Sequence, residues 1–493
     1  MVDKLKSFFL ENKTLTQTVA KNTAWLTIST VISRGVRALL VLYAARILGT
    51  EGYGVFSYAM SLAAFFCIFS DIGLSPLLTR EAVKQPEKIK AYLSTTLFLK
   101  LIMLGGTLVI GIIFAPMVIS IAAAKPLISL ALVLLIFDNL RSFGFSITRA
   151  QNKMEIEATL SALTDILITG ISLAVLFLTP DAWWLSLAYV IGSALGTIIV
   201  FWIIREHLVG ITKHFDKTLI KPILTSAWPF AIMGVLGAFM INIDTLIIGW
   251  FSSAHELGLY SAAQRVPLLL YVLPTLLASS VFPILSRLIH DGEANRIKEV
   301  METSMRSVII IALPLAVGGM LLAKPIVELI FGSAYEQAWP TLSLLMFTIL
   351  LVFPGALISN AIFAYDKQKS FIFSTSIGAG SNIILDLILI PIYGIFGSAV
   401  ATVIAQILVN GINLKTLKNI LAFKLSGFGK MFLAVIGMGL VVFFFNLKGL
   451  HVLPNVLLGC LTYLGLLIIL KESLLQEVWK KININKNNNE ILN

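Results

Sequence analysis

The chain has 493 residues, 58% of them hydrophobic and only 13% charged, about half the charge of a soluble globular protein, and its mean hydropathy is +0.92. This composition excludes an ordinary soluble enzyme or nucleic-acid-binding domain. The net charge of +11 instead points to cytoplasmic loops facing anionic lipid. Residues 1–21 are basic and polar, with Leu5, Phe8, Phe9 and Leu10 interspersed and no small-residue cleavage site; they read as an amphipathic cytoplasmic segment on the membrane surface. A membrane-crossing helix needs about 20 mostly apolar residues. Such runs occur near 22–44, 53–78, 93–115, 126–147, 156–178, 183–204, 223–250, 258–286, 304–323, 338–364, 370–391, 394–414, 428–447 and 452–470. Trp183 and Trp184 fall at an interface, Gly192 and Gly196 suit close helix packing, and Pro229, Pro267, Pro274, Pro314 and Pro354 lie inside spans where they can kink a helix. Cys67 and Cys460 lie in apolar runs, with nothing to suggest that they pair.

The basic residues set an orientation. With the N-terminus inside, the inner segments hold 29 of the 37 lysines and arginines, Arg141 among them, whereas the outer segments hold only Arg46, Lys125, Lys324 and Lys448. That asymmetry predicts a cytoplasmic N-terminus and C-terminus in a multi-pass protein of the cell membrane.

The chain also contains a copy of itself. Gly54-Val-Phe-Ser-Tyr-Ala59 matches Gly258-Leu-Tyr-Ser-Ala-Ala263, Pro76-Leu-Leu-Thr-Arg80 matches Pro283-Ile-Leu-Ser-Arg287, Ile89-Lys90 matches Ile297-Lys298, and Ala150-Gln-Asn-Lys153 matches Ala364-Tyr-Asp-Lys367. Each repeat holds six spans, an even number, so both run in the same sense across the membrane. Parallel repeats of this kind commonly hold a substrate between them and expose it to alternate sides. The expected fold is an all-α polytopic membrane protein of about fourteen transmembrane helices: two parallel six-helix repeats plus two C-terminal helices. The expected divisions are 1–21 (cytoplasmic segment), 22–210 (first lobe), 211–422 (second lobe), 423–471 (two further spans) and 472–493 (cytoplasmic tail).

Several spans carry ionisable residues, each costing at least ~2.5–3.5 kcal/mol at the bilayer centre unless paired or wet. They are Arg34 and Arg37, Asp71, Asp138, Asp165, Asp244, Arg265 and Asp386. Arg34 and Arg37 are three apart and share a helix face. Two like charges there need either an anion between them, matched well by guanidinium forks, or answering carboxylates such as Asp71, Asp138 or Asp165. Asp244 and Arg265 lie at similar distances from the loop near Ala254, which suggests an ion pair: either a structural one, or an outer gate with Arg265 as a second substrate contact. Asp165 aligns with Asn382 in the repeat, an asymmetry that suits either proton or cation coupling or simple helix packing. Enzyme signatures are absent: there is no Gly-x-x-x-x-Gly-Lys-Ser/Thr loop and no Gly-x-Ser-x-Gly elbow, and the five histidines lack metal-ligand spacing. The reading is therefore a transporter, not an enzyme, with no cofactor.

Three stretches carry a family likeness. Arg46-Ile-Leu-Gly-Thr-Glu-Gly-Tyr-Gly-Val-Phe-Ser-Tyr58 with Asp71-Ile-Gly-Leu-Ser-Pro76 is the first. Gly258-Leu-Tyr-Ser-Ala-Ala-Gln-Arg265 with Asp244 upstream is the second. Asn382-Ile-Ile-Leu-Asp-Leu-Ile-Leu-Ile-Pro-Ile-Tyr-Gly394 followed by Gly397-Ser-Ala-Val-Ala-Thr402 is the third. Over roughly residues 20–415 the chain resembles the polysaccharide biosynthesis (oligosaccharide flippase) family of the multidrug/oligosaccharidyl-lipid/polysaccharide exporter superfamily. The resemblance implies a two-lobe fold and transfer of a polyprenyl-diphosphate-linked oligosaccharide from inner to outer leaflet. It also implies cavity arginines that hold the diphosphate, a role Arg34 and Arg37 are placed to fill, with Asp71, Asp138, Asp165 and Asp244 as coupling or gating acids. Implied partners are the lipid-linked glycan, the bilayer, and glycosyltransferases or a polymerase of a glycan-assembly pathway, with no nucleic acid. Two spans beyond the twelve of many members lean toward lipid II-type and spore-peptidoglycan flippases. A cation-coupled multidrug exporter of the same superfamily is the alternative, and paired arginines argue against its cationic substrates.

Overall fold

The structure, a computed structural model, describes residues 15–71, 73–84, 86–151, 153–423, 427–472, 474 and 476. The expected amphipathic segment before residue 15 and the tail beyond 476 lie outside the described residues. Among the described residues every regular element is helical. Isolated backbone groups cannot be left unpaired in hydrocarbon, and a helix satisfies them within one segment.

The first helix, α1 (Leu15–Ser70), has 56 residues, roughly 80 Å at ~1.5 Å per residue and far more than one ~30 Å hydrocarbon core. It is broken at Gly49, whose φ of 67° is adopted without steric cost only by glycine. The break yields two crossings. The short α2 (Leu74–Lys84) continues the second. Then come α3 (Ile89–Val118), α4 (Lys125–Ala150), α5 (Met154–Leu178) and α6 (Ala182–Leu208). Pro126 in the first turn of α4 uses a position where the missing N–H is harmless, and the Asp181 side chain accepts the Trp183 N–H at 2.8 Å to cap α6.

A linker of two 3-10 turns, Ile211–His214 and Lys217–Leu219, leads to α7 (Ile220–Phe251). It is pinned to α3. The Thr95 hydroxyl donates to the Asp216 carbonyl and receives the Asp216 N–H, and Phe98 meets Phe215 edge-on at 4.7 Å. Hydrogen bonds from the Thr218 hydroxyl and N–H hold the Asp216 carboxyl below the usual carboxylate range.

Next are α8 (Ala254–Leu270), α9 (Val272–His290), α10 (Ala294–Leu321), α11 (Ala323–Phe331), α12 (Trp339–Phe347) and α13 (Ile349–Ala364). The long α14 (Gln368–Ile420) is broken at Gly394, φ 57°, and is followed by α15 (Gly429–Leu447) and α16 (Val452–Ile469). Eleven described helical segments are long and apolar enough to cross a membrane. One of them, α14, holds two crossings, and α1 supplies two more, which gives the fourteen expected.

The chain forms two compact units, divided between Gly258 and Leu259. In the first, Leu77 and Leu78 of α2, Tyr92 of α3, Phe143 of α4, Val200 of α6 and Ile223 of α7 form a buried apolar core. In the second, Leu313 of α10 packs against Met431 and Met438 of α15 and Tyr463 and Leu467 of α16. The Tyr463 hydroxyl donates to the Ile310 carbonyl at 3.0 Å, and Arg306 pairs with Glu472 at 2.6 Å. The two C-terminal helices are thus fastened to α10 by apolar burial at one level and a charge pair at another.

Candidate functional site

The ionisable residues that lie inside spans fall mostly in the first unit, and nearly all are answered. Arg37 of α1 lies 2.8 Å from Asp165 of α5, with the arginine side chain 42% exposed and the aspartate 14%. Lys100 of α3, fully buried, donates to Asp71 at 2.9 Å and to the Ser75 hydroxyl at 2.8 Å; Ser75 in turn donates to Asp71 at 2.6 Å through its hydroxyl and at 3.0 Å through its N–H. Arg141 donates to Asp138 at 2.6 Å and to the Ser193 hydroxyl of α6 at 2.7 Å, while Ser193 donates to Asp138 at 2.7 Å. Asn139 reaches Cys67 at 3.2 Å between these groups. A dry isolated charge is far costlier than a paired one, so this matching is what lets the spans carry so many ions.

Arg34 is the exception. It is exposed and holds no ion pair among the described residues. One turn away, Arg37 shows nearly half its surface. Of the two resolutions open to the arginine pair, the structure uses carboxylate pairing for Arg37 and leaves Arg34 without it. Asp71 is held by Lys100 and Asp138 by Arg141, and Asp138 also lies close enough to Arg37 to act on it electrostatically. Sequence reasoning passed over both of these bases. Lys100 is a solitary lysine in the apolar run of α3, whereas Arg141, counted above with the inner side, sits within α4 three residues from Asp138. That spacing was the available signal.

Asp244 is buried in α7, and Arg265 is half-buried in α8. In the second unit, Asn382 donates to Asp386 at 2.8 Å one turn further along α14, both fully buried. Among the described residues no group of three or more His, Cys, Asp or Glu side chains converges as a metal site.

The repeat is visible as geometry within the first unit. A methyl group on Gly54 would strike the Ala254 carbonyl oxygen, and one on Gly258 would strike the Thr50 carbonyl oxygen. Thr50 and Ala254 stand in the same relation as Gly54 and Gly258, 204 residues apart. The start of the second crossing of α1 and the start of α8 therefore cross backbone to backbone, each donating its glycine to the other, and Thr50 Oγ1 meets His255 Nδ1 at 2.7 Å beside the crossing. Nearby, Tyr58, Phe65, Phe66, Phe114 and Trp250 line an apolar cavity of about 440 Å³, which suits hydrocarbon and not a charged headgroup.

Fourteen crossings among the described residues, two repeats and membrane-embedded ion pairs define a polytopic membrane protein. Comparison with known proteins sharpens that class. The sequence pattern of the polysaccharide biosynthesis protein family matches residues 19–289, and that of the MatE family matches residues 229–388. The chain belongs to the polysaccharide biosynthesis protein family. It is 23% identical to the probable low-salt glycan biosynthesis flippase Agl15 of Haloferax volcanii over 78% of this chain and 81% of that one. It is 24% identical to the succinoglycan biosynthesis transport protein ExoT of Rhizobium meliloti over 67% and 66%. In fold it is similar to the lipid II flippase MurJ in an inward closed conformation, with a TM-score of 0.73 and 21% identity over 91% of this chain and 99% of that one. An inward-facing multidrug resistance transporter of the MATE family gives a TM-score of 0.61 over 80% and 98%.

Proposed function

We propose that this transporter moves a polyprenyl-diphosphate-linked oligosaccharide from the inner to the outer leaflet by alternating access. The observation that carries the reading is the pair Arg34 and Arg37. They share one face of α1, roughly 20 Å into the membrane at ~1.5 Å per residue, and Arg34 is exposed without a carboxylate among the described residues. A guanidinium held there without a carboxylate favours a diphosphate. A cationic drug would meet repulsion instead. The relatives' named roles in glycan biosynthesis agree with this choice.

The pairing of Arg37 with Asp165 suggests how binding couples to movement. A phosphate that competes with Asp165 for Arg37 would release the carboxylate, which then takes up a proton or cation. Asp165 is in this reading the coupling residue, Asp71 and Asp138 hold the framework, and Asp244 and Arg265 act in gating. The lysine and arginine asymmetry supports a cytoplasmic position for both termini, on the side where glycosyltransferases or a polymerase supplying the glycan would act.

A second reading, a peptidoglycan-precursor flippase, is favoured by α15 and α16, fastened to α10 beyond the two repeats. A flipping assay in liposomes separates the readings by the lipid-linked sugar supplied. The variant Arg34→Ala/Arg37→Ala should lose at least tenfold in rate on whichever substrate the wild type carries. Unimpaired flipping by that variant would refute the anion site.

A further inference from the structure

The second unit has its own polar surface, of a different chemistry. Thr402, Gln406 and Asn410 recur every four residues on α14 after its break and so stack along one face. All three are half-exposed, as are Ser359 and Asn360 of α13. The two helices meet at this face: Gly355 of α13 lies so close to the Asn410 side-chain oxygen that any Cβ there would collide with it. Ser359 follows Gly355 by one turn and donates to its carbonyl at 2.8 Å. The Asn410 amide donates to the Gln406 carbonyl at 2.8 Å and to its side-chain oxygen at 3.2 Å, which orients the two amides as a ladder. The amide nitrogen of Gln406 and the side-chain oxygen of Asn410 have no hydrogen-bond partner among the described residues. Among the described residues, Asn410 is the one polar side chain on a cavity of about 320 Å³ otherwise lined by apolar residues such as Met305, Ile309, Leu350 and Ile407.

Primary amides left against hydrocarbon would cost several kcal/mol each, so this face must meet polar material. No Asp, Glu, Lys or Arg occurs in α13 or between residues 395 and 414. The strip therefore offers neutral donors and acceptors, poor for a phosphate or a cation and suited to the hydroxyl and acetamido groups of a sugar. We infer that Gln406 and Asn410, flanked by Thr402 and Ser359, form a glycan-recognising strip that reads the neutral sugar portion of the substrate. This inference rests on the flippase reading above.

The test supplies liposomes with two probes: a polyprenyl diphosphate bearing a neutral oligosaccharide, and the same polyprenyl diphosphate without sugar. Gln406→Leu and Asn410→Ser, each checked for wild-type elution and thermal unfolding in detergent, should slow the sugar-bearing probe about tenfold and leave the sugar-free probe unchanged. Equal loss on both probes, or no loss on either, would overturn the strip. Should Asn410→Ser fail to fold, Gln406→Leu alone decides the question, since Gln406 is half-exposed and its side chain is hydrogen-bonded to Asn410 of the same helix. If the wild type carries neither probe while other lipid-linked glycans also fail, the flippase reading itself falls. A sugar-free probe slowed more than the sugar-bearing one would show that the face serves the isoprenoid chain instead.

Discussion

Lys100 is the least expected residue in the molecule, a lysine with no exposed surface in the middle of an apolar helix. Its ammonium group donates to Asp71 and to Ser75, and Ser75 is itself held by Asp71 through two hydrogen bonds. The group closes on itself as a small ionic knot joining α3 to the junction of α1 and α2. Removing one partner leaves a buried charge unanswered, which typically costs about 3–5 kcal/mol. Lys100→Ala should therefore destabilise the protein by about that much in a denaturant or thermal unfolding measurement. The double variant Lys100→Met/Asp71→Asn, which removes both charges, should recover most of the loss. If the double variant is no more stable than the single one, the knot is not held by charge. The acids of this cluster were legible in the sequence because each is isolated in an apolar run. Their partners were not, because pairing across α3, α4, α5 and α6 depends on how those helices rotate against one another.

At the scale of elements, the breaks matter more than the helices. Gly49 and Gly394 divide α1 and α14 where positive φ is required. The interruptions at Tyr271, between α8 and α9, and at Thr348, between α12 and α13, are different, since neither residue is glycine. Pro267 and Pro274 flank the first and Pro354 follows the second, and each removes one helical N–H donor. The two interruptions are tied together: the Tyr271 and Thr348 hydroxyls lie 2.5 Å apart, and Thr348 also donates to the Leu345 carbonyl. Two weakened helices joined at their weak points should bend together. Tyr271→Phe should keep the fold and cost about 0.5–1.5 kcal/mol, and a double-mutant cycle with Thr348→Val should show a coupling of that order in thermal unfolding. Additive effects within about 0.3 kcal/mol would mean the contact carries no energy. The prolines marked these spans as kinked from the sequence, but which kinks share a level and a hydrogen bond was decided by packing.

For the whole molecule, the open question was the role of the two helices outside the repeats. They are not loosely appended. Met431, Met438, Tyr463 and Leu467 are buried against Leu313 of α10 and its neighbours, and Glu472, fully buried, holds Arg306. A chain ending after residue 423 would bare that surface and leave Arg306 without its acid. It should lose monodispersity in detergent and melt well below the full chain. A truncated protein that elutes and melts like the full chain would show that the second unit is self-sufficient without them.

Two properties were determined by the sequence alone: the solvent and the plan. A chain this apolar, with its lysines and arginines gathered between alternate spans and with four motifs recurring in order, must be a membrane protein of repeated architecture, because hydrocarbon length and backbone pairing leave little choice. The number of crossings and the resemblance to a flippase family followed from the same pattern. Tertiary structure alone decided which charges are spent on one another. Asp165 takes Arg37, Lys100 takes Asp71 and Arg141 takes Asp138, so that Arg34 is left exposed in its span without an acid among the described residues. Pairings of this kind depend on helix rotation and depth to within a few ångströms, and a one-dimensional pattern records spacing along a helix but not the neighbour it faces.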